Sequence, residues 1–318
     1  MLFLSDVDVE RFLTMHEAIE AVERAFKELS EGTAVLLPRT TLMLENGSIS
    51  QMSACLKKMK IATTKIFGIF PDNVKYGLPT TVATLLVNDL KTGKVIAVMD
   101  AAYLTAIRTG AVSGVATKYL ARKDATIVGI IGCGAQGRTQ ALAMKEVREV
   151  EKIKVYDAVP NRKREFAEEM SKKLGIDITP VDSAEEATRN CDIIITATTS
   201  SEPVIKAEWL TSGTHINAIG SYYPHTRELD TKTIVKAKVV VDLKEAALQE
   251  AGDIIIPIKE GVITTGHIYA ELSEVVSGKK AGRVDDREIT VFKTVGLAIQ
   301  DAAATRLVID KVLSHIAS

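Results

Sequence analysis

The stretch Ile127-Val128-Gly129-Ile130-Ile131 is apolar and β-branched, as a buried strand requires, and it runs directly into Gly132-Cys133-Gly134-Ala135-Gln136-Gly137. A helical run, Thr139 to Val147, follows. Lys154-Val155-Tyr156-Asp157 then ends a second strand on an acid, 20 residues beyond Gly137. A G-x-G-x-x-G is weak evidence alone; strand, glycines, helix, strand and acid in register form a demanding pattern. Gly132 permits the tight turn, Gly134 lets phosphate approach the backbone, and Gly137 lets the helix pack on its strand. The helix start offers free N–H groups and partial positive charge. Asp157 suits a ribose diol and repels a 2′-phosphate. Gly132, Gly134, Ala135, Gln136, Gly137 and Asp157 are therefore the candidate cofactor-binding residues, with NAD as the expected cofactor. Arg162 and Lys163 follow closely and leave NADP open, although a solvated helix start explains both more simply.

Around this motif the rhythm of the chain changes. Before residue 115, β-like runs (Val35–Leu44, Ser48–Ser53, Ile61–Phe67, Thr80–Asn88, Val95–Met99) follow one another with no helix between them, which predicts an antiparallel or mixed sheet. A capping pattern, Thr14 with Glu17, opens an amphipathic helix before them, and Asn46-Gly47 suits a hairpin turn. After Asp124, strands alternate with helical patterns, the βαβ signature of a doubly wound parallel sheet. Gly296 to Ile316 reads as one more helix.

Composition limits the partners. Among 318 residues, 40 Lys+Arg meet 41 Asp+Glu, so a basic nucleic-acid surface is not expected. No apolar run reaches the roughly 18 residues of a membrane span. The acidic start does not suit a signal peptide. Cys55, Cys133 and Cys191 are too scattered for a zinc site or disulfide framework, which fits a reducing cytoplasm. The five histidines show no metal spacing.

Three cations sit in apolar company: Arg39, Lys65 and Arg108. Taken singly, each is more often a snorkelling surface side chain or a structural ion pair than a ligand. Spacing does not raise them above that reading.

Order and wording of the motifs do. Pro38-Arg39, Lys65, Gly77-Leu78-Pro79-Thr80, Leu104-Thr105-Ala106-Ile107-Arg108-Thr109-Gly110-Ala111, Gly132 to Gly137, Glu250-Ala251-Gly252-Asp253 and Phe292-Lys293-Thr294-Val295-Gly296 occur in sequence. Together they resemble the ornithine cyclodeaminase/μ-crystallin family over essentially the whole chain, closest to its archaeal alanine dehydrogenase and ketimine reductase branch. The resemblance implies a Rossmann-type doubly wound α/β domain (116–295), inserted into a second, α+β, substrate and dimerisation domain (1–115 with 296–318). It implies a homodimer. It also implies that Arg39 and Arg108 clamp a substrate carboxylate, that Lys65 anchors or protonates the substrate, that Thr198 lies near the cofactor ribose, and that Val295 and Gly296 lie beside the nicotinamide.

One loop departs from the cyclodeaminases. They resemble Gly-Gly-Asp-Cys-Pro-Gly-Lys-Thr-Glu-Leu, whereas this chain has Gly220-Ser221-Tyr222-Tyr223-Pro224-His225-Thr226-Arg227-Glu228-Leu229. Tyr222 replaces the carboxylate that meets a substrate side-chain amine. The expectation is an NAD(H)-dependent oxidoreductase of small L-amino or imino acids, with L-alanine first and Δ1-pyrroline-2-carboxylate second. Two alternatives are an ornithine cyclodeaminase that retains NAD, and a non-catalytic cofactor-dependent binder of small ligands like μ-crystallin.

Overall fold

The computed structural model describes residues 1–317, which divide into two compact units: Met1–Arg108 with the chain from Leu297 onward, and Thr109–Gly296. The first junction falls inside one continuous helix and earlier than the 115/116 boundary read from strand rhythm. Rhythm registers where strands resume, not which contacts a helix makes along its length. The second falls at 296/297, one residue from the expected boundary.

The first unit contains β1 (Leu2–Leu4), α1 (Asp6–Phe12), α2 (Met15–Ser30), β2 (Ala34–Leu36), β3 (Thr40–Leu44), β4 (Gly47–Leu56), β5 (Ile61–Ile69), β6 (Thr81–Asn88), β7 (Val95–Asp100), the start of α3 (Ala102–Leu120) and the terminal α11 (Ala298–Ala317). Its seven-stranded sheet runs β1-β7-β6-β5-β4-β2, with β3 also on β4. Only β1 is parallel to its neighbour, so the sheet is mixed. The expected single strand Val35–Leu44 is two strands, broken at Leu37-Pro38-Arg39. Proline donates no ladder hydrogen bond, and the break frees Arg39 from strand geometry. Leu44 pairs with Gly47, so the hairpin turn is Glu45-Asn46, one residue earlier than expected.

Period-two alternation divides β5 between two environments. Thr63, Lys65 and Phe67 are buried, whereas Ile66 is exposed. Helix α11 packs against β4, β5 and α2 on the buried side. The opposite face presents Ile49, Ile66, Val82 and Ile96, all exposed. Thr14 caps α2: its hydroxyl accepts from the Glu17 N–H and donates to the Glu17 carboxylate.

The second unit contains β8 (Ile127–Ile131), α4 (Ala135–Val147), β9 (Lys152–Tyr156), α5 (Pro160–Leu174), β10 (Asp177–Pro180), α6 (Ala184–Thr188), β11 (Ile193–Thr196), β12 (His215–Ala218), α7 (Thr231–Lys236), β13 (Lys238–Val241), α8 (Lys244–Glu250), α9 (Gly252–Lys259), β14 (Ile268–Glu271), α10 (Leu272–Val276) and β15 (Thr290–Lys293). All eight strands are parallel, in the order β10-β9-β8-β11-β12-β15-β13-β14. From β8 the chain winds outward through β9 and β10, then returns to lay β11 on the other side of β8. That reversal opens a crevice at the carboxyl ends of β8 and β11, the usual ligand position of such sheets. No helix among the described residues is long and apolar enough to cross a membrane.

Candidate active site

In the first unit, Lys65 is buried on the inner face of β5, and its Nζ lies 2.8 Å from Asp301 Oδ1 on α11. Arg108 of α3 reaches the same oxygen with Nε at 3.0 Å and donates through NH1 to Gln300 Oε1 at 2.6 Å. Thr105 Oγ1 lies 3.3 Å from the lysine. Arg39 and Lys65 both approach the Phe67 ring, at 5.7 and 5.5 Å from its centroid. Lys65 is 3% exposed and Asp301 1%. This is no snorkelling lysine.

The electrostatics follow from burial. Desolvation is the main force lowering Lys65, and the Arg108 and Arg39 charges add to it; Asp301 opposes them, and the result is a pKa of about 8. Burial pushes the Asp301 carboxyl up, yet Lys65 and Arg108 outweigh it and hold the group below its ordinary value. An ammonium poised near neutrality can give and retake a proton. Arginine presents a planar fork that suits a carboxylate.

Asp301 and Gln300 lie outside the set expected from sequence. The available signal was a carboxylate within Gly296-Leu297-Ala298-Ile299-Gln300-Asp301-Ala302-Ala303-Ala304, where an acid in a buried apolar helix needs a partner.

In the second unit, the glycine turn has the geometry a dinucleotide needs. Gly132 adopts φ +104°, and a Cβ there would lie 2.4 Å from the Ala197 carbonyl oxygen. A Cβ on Gly137 would meet the Gly132 oxygen at 2.2 Å, so only glycine lets α4 sit this close. Gly134 is the opposite case: nothing lies within 4 Å of its Cβ position, and Gly134 and Ala135 are exposed. Gly134 is the N-cap of α4 and supplies no side-chain cap, which leaves the first N–H groups for a ligand. Gln136 Oε1 is buried without a hydrogen-bond partner. The glycine turn and the uncapped start of α4 fit a bound pyrophosphate.

Asp157 follows β9 directly and accepts from the Cys133 N–H at 2.9 Å and the Val159 N–H at 2.8 Å. It thus braces the glycine turn. Lys163 is committed elsewhere, to the Val181 oxygen at 2.6 Å and Asp182 at 2.9 Å, while Arg162 is exposed. Burial and the adjacent Asp157 push the Cys133 thiol up to about 12, so it is a packing group.

Thr198 lies beyond β11, its N–H and hydroxyl both donating to Glu228 Oε1. The N–H groups of Val295 and Gly296 both donate to Asp242 Oδ2, at 2.9 and 3.0 Å. Tyr222 is half-buried, its ring tilted 35° against that of Tyr223 at 4.7 Å and packed on the apolar core of this unit. Among the described residues no group of three or more His, Cys, Asp or Glu is placed to hold a metal ion.

The profile of the family described as ornithine cyclodeaminase/mu-crystallin matches residues 1–315. The chain belongs to this family. Alanine dehydrogenase of Archaeoglobus fulgidus is 42% identical over 313 residues, 98% of this chain and 95% of that protein. The structure of Thermococcus litoralis Δ1-pyrroline-2-carboxylate reductase with NADH and L-proline is 54% identical, with a TM-score of 0.97 over 99% of this chain and 98% of that one. An archaeal alanine dehydrogenase dimer with bound NAD is 41% identical, with a TM-score of 0.95 over 99% and 97%. Both solved structures match this chain across its two units.

The Lys65–Asp301 pair makes a direct prediction. Asp301 is a force raising the lysine pKa, so Asp301→Asn should move the pH at which Lys65 loses its proton to below about 8. Titration of the lysine Nζ by NMR, against Lys65→Met as the blank, measures this; an unmoved or raised midpoint contradicts it.

Proposed function

We propose that this protein is an NAD(H)-dependent oxidoreductase of the CH–NH class that reduces a small cyclic imino acid, with Δ1-pyrroline-2-carboxylate as the preferred substrate and L-proline as product. The buried Lys65–Asp301–Arg108 cluster carries the reading. It combines an anion clamp with a proton donor poised near neutral pH. L-alanine and its oxo acid are the second substrate pair. This order reverses the one drawn from the sequence; the 54% identity to the T. litoralis reductase, against 42% to the A. fulgidus dehydrogenase, supports it.

When bound, NADH supplies a hydride to the imine carbon. Arg39 and Arg108 hold the substrate carboxylate and so fix which carbon is offered; this is orientation catalysis. Lys65, as ammonium, gives its proton to the imine nitrogen, so hydride and proton together convert C=N to CH–NH. Asp301 keeps the lysine charged and in place until then. Asp157 at the end of β9 selects NAD over NADP, and the engagement of Lys163 by Asp182 favours that reading.

Tyr222 argues against the cyclodeaminase alternative. The 220–227 loop carries no carboxylate to meet a cationic side chain. An unpaired ammonium in a closed site is costly. Retention of all three cations argues against a pure binder.

The exposed apolar face of the first unit's sheet suits a second copy, and we assign the protein as a homodimer. Sedimentation of the purified protein should give twice the 34.4 kDa chain mass; a monomer at micromolar concentration contradicts it.

The deciding assay is NADH oxidation with Δ1-pyrroline-2-carboxylate, beside pyruvate with ammonia and beside L-ornithine with catalytic NAD. The imine should react with the highest kcat/KM, and L-ornithine should give little proline. Reduction needs protonated Lys65, so its rate should be level at low pH and fall above about pH 8, while L-proline oxidation should rise through the same pH. Rapid proline formation from ornithine without net NADH change restores the cyclodeaminase.

Asp157→Ala should weaken NADH binding by roughly tenfold and narrow the gap to NADPH, as loss of charged hydrogen bonds implies. Fluorescence titration with both cofactors measures this; a wild type that prefers NADPH contradicts it.

A further inference from the structure

Three charged residues from the signature motifs take no part in the chemistry above: Glu228, Asp253 and Lys293. All three are fully buried in the second unit. Glu228 accepts five hydrogen bonds. Its Oε1 takes the Thr198 N–H and hydroxyl at 2.7 and 2.8 Å; its Oε2 takes the Thr196 hydroxyl at 2.8 Å and the N–H groups of Gly220 and Ser221 at 2.7 and 3.3 Å. Asp253, at the start of α9, accepts the N–H groups of Glu228 and Leu229 on Oδ1 and pairs with Lys293 Nζ at 2.9 Å. Lys293, the last residue of β15, closes the circuit by donating to the Ser221 carbonyl at 2.5 Å.

Ser221 is therefore gripped at both ends of its backbone: its N–H by Glu228, its C=O by Lys293. Its hydroxyl donates to the Thr226 carbonyl at 2.6 Å, across the base of the loop. Two glycines allow this closeness. A Cβ on Gly220 would lie 2.3 Å from the Thr198 carbonyl oxygen, and one on Gly252 would lie 2.0 Å from that of Thr226. The circuit ties the carboxyl ends of the three neighbouring strands β11, β12 and β15. Its output is the position of the next residue, Tyr222.

We propose that Glu228, Asp253 and Lys293 are positioning residues, and that their buried circuit sets substrate choice by fixing the Ser221 backbone and with it Tyr222, while holding Thr198 in place. The proposal rests on reading Tyr222 as the residue that selects substrates with uncharged side chains. It assigns one task to three motifs, Glu228-Leu229, Gly252-Asp253 and Phe292-Lys293, that lie far apart in sequence. A buried circuit of this kind is costly to break at one member, because a lone charge remains. Removing both partners of the ion pair avoids that penalty.

The test is Asp253→Asn combined with Lys293→Met in the full-length protein, with Ser221→Ala as a milder second variant. Hydrogen exchange of the 219–227 segment reads the loop directly and needs no cofactor. In the folded double variant, exchange there should quicken by about tenfold or more, since local opening of a stabilised segment becomes easier. Imine reduction should lose about tenfold to a hundredfold in kcat, the expected scale for a small misplacement of a site group. Glu228 still holds Thr198 in this variant, so NADH affinity should stay within about threefold. The preference for imine over pyruvate with ammonia should narrow. Ser221→Ala should move all of these in the same direction by a smaller factor, which keeps the proposal testable if the double variant does not fold. A folded variant with wild-type exchange and wild-type substrate preference overturns the circuit. A wild type that fails to reduce the imine overturns the proposed reaction instead, and the exchange measurement still decides the circuit.

Discussion

One carboxylate oxygen, Asp301 Oδ1, holds the first unit's charged centre together. It receives Lys65 from β5 and Arg108 from α3, and it arrives on α11 from the far end of the chain. Cations this deep in an apolar layer are tolerated only when paired, and truncating one partner of such a buried pair typically costs about 3–5 kcal/mol. Asp301 thus joins two tasks. It couples the last helix to the sheet, and it decides how far the lysine pKa falls. With the carboxylate present the fall stops at about 8. Burial and two nearby guanidinium groups would otherwise drive the lysine further toward the neutral amine, which could not give the proton that the proposed reaction asks of it.

The second unit solves a different problem with backbone rather than side chains. Its crevice is lined by chain turns at the ends of β8, β11, β12 and β15, and loops are mobile unless tied. Each turn has a carboxylate as a tether: Asp157 for the glycine turn, Glu228 for the turns after β11 and β12, and Asp242 for Val295 and Gly296. Burial pushes the Glu228 and Asp242 carboxyls up, and the hydrogen bonds they accept pull against that rise. Main-chain N–H groups so fixed make a stiff frame, which is what holding a large cofactor in one orientation requires.

The sequence reveals some of this and conceals the rest for physical reasons. The glycine turn is legible because its constraint is local: strand, tight turn, helix and acid lie within about thirty residues, as the fingerprint requires. The doubly wound sheet is legible from the alternation of periods. Val35–Leu44 reads as one strand because its β-branched run outweighs Pro38, whose missing N–H ends the ladder. Lys65 alone gives no sign of its role; its burial depends on pleat parity and on α11 covering that face. Asp301 is illegible because its partners, Lys65 and Arg108, lie 236 and 193 residues earlier. The circuit through Glu228, Asp253 and Lys293 is hidden in the same way: the motifs are visible as resemblance, but what they share is a fold-dependent meeting point.

Charge arithmetic at the first unit's centre supports the proposed preference for a substrate without a second ammonium. Lys65 and Arg108 share a single carboxylate, Asp301, and the Arg39 charge also acts on Lys65, so the cluster keeps an excess of positive charge around a buried lysine. Δ1-pyrroline-2-carboxylate brings one negative charge and, as the free imine, no positive one, so it relieves that excess. L-alanine and L-proline each bring one ammonium with one carboxylate, so charge alone does not separate those two amino acids. Ornithine brings a second ammonium, while Asp301 is already shared by Lys65 and Arg108 and residues 220–227 carry no carboxylate. In a low effective dielectric, each unpaired like charge at contact distance costs on the order of a few kcal/mol, equivalent to a hundredfold or more in selection. On the proposed reading, the exclusion of a diamine rests on the same burial that lowers the pKa of Lys65: a site dry enough to tune a lysine is also dry enough to reject a second cation.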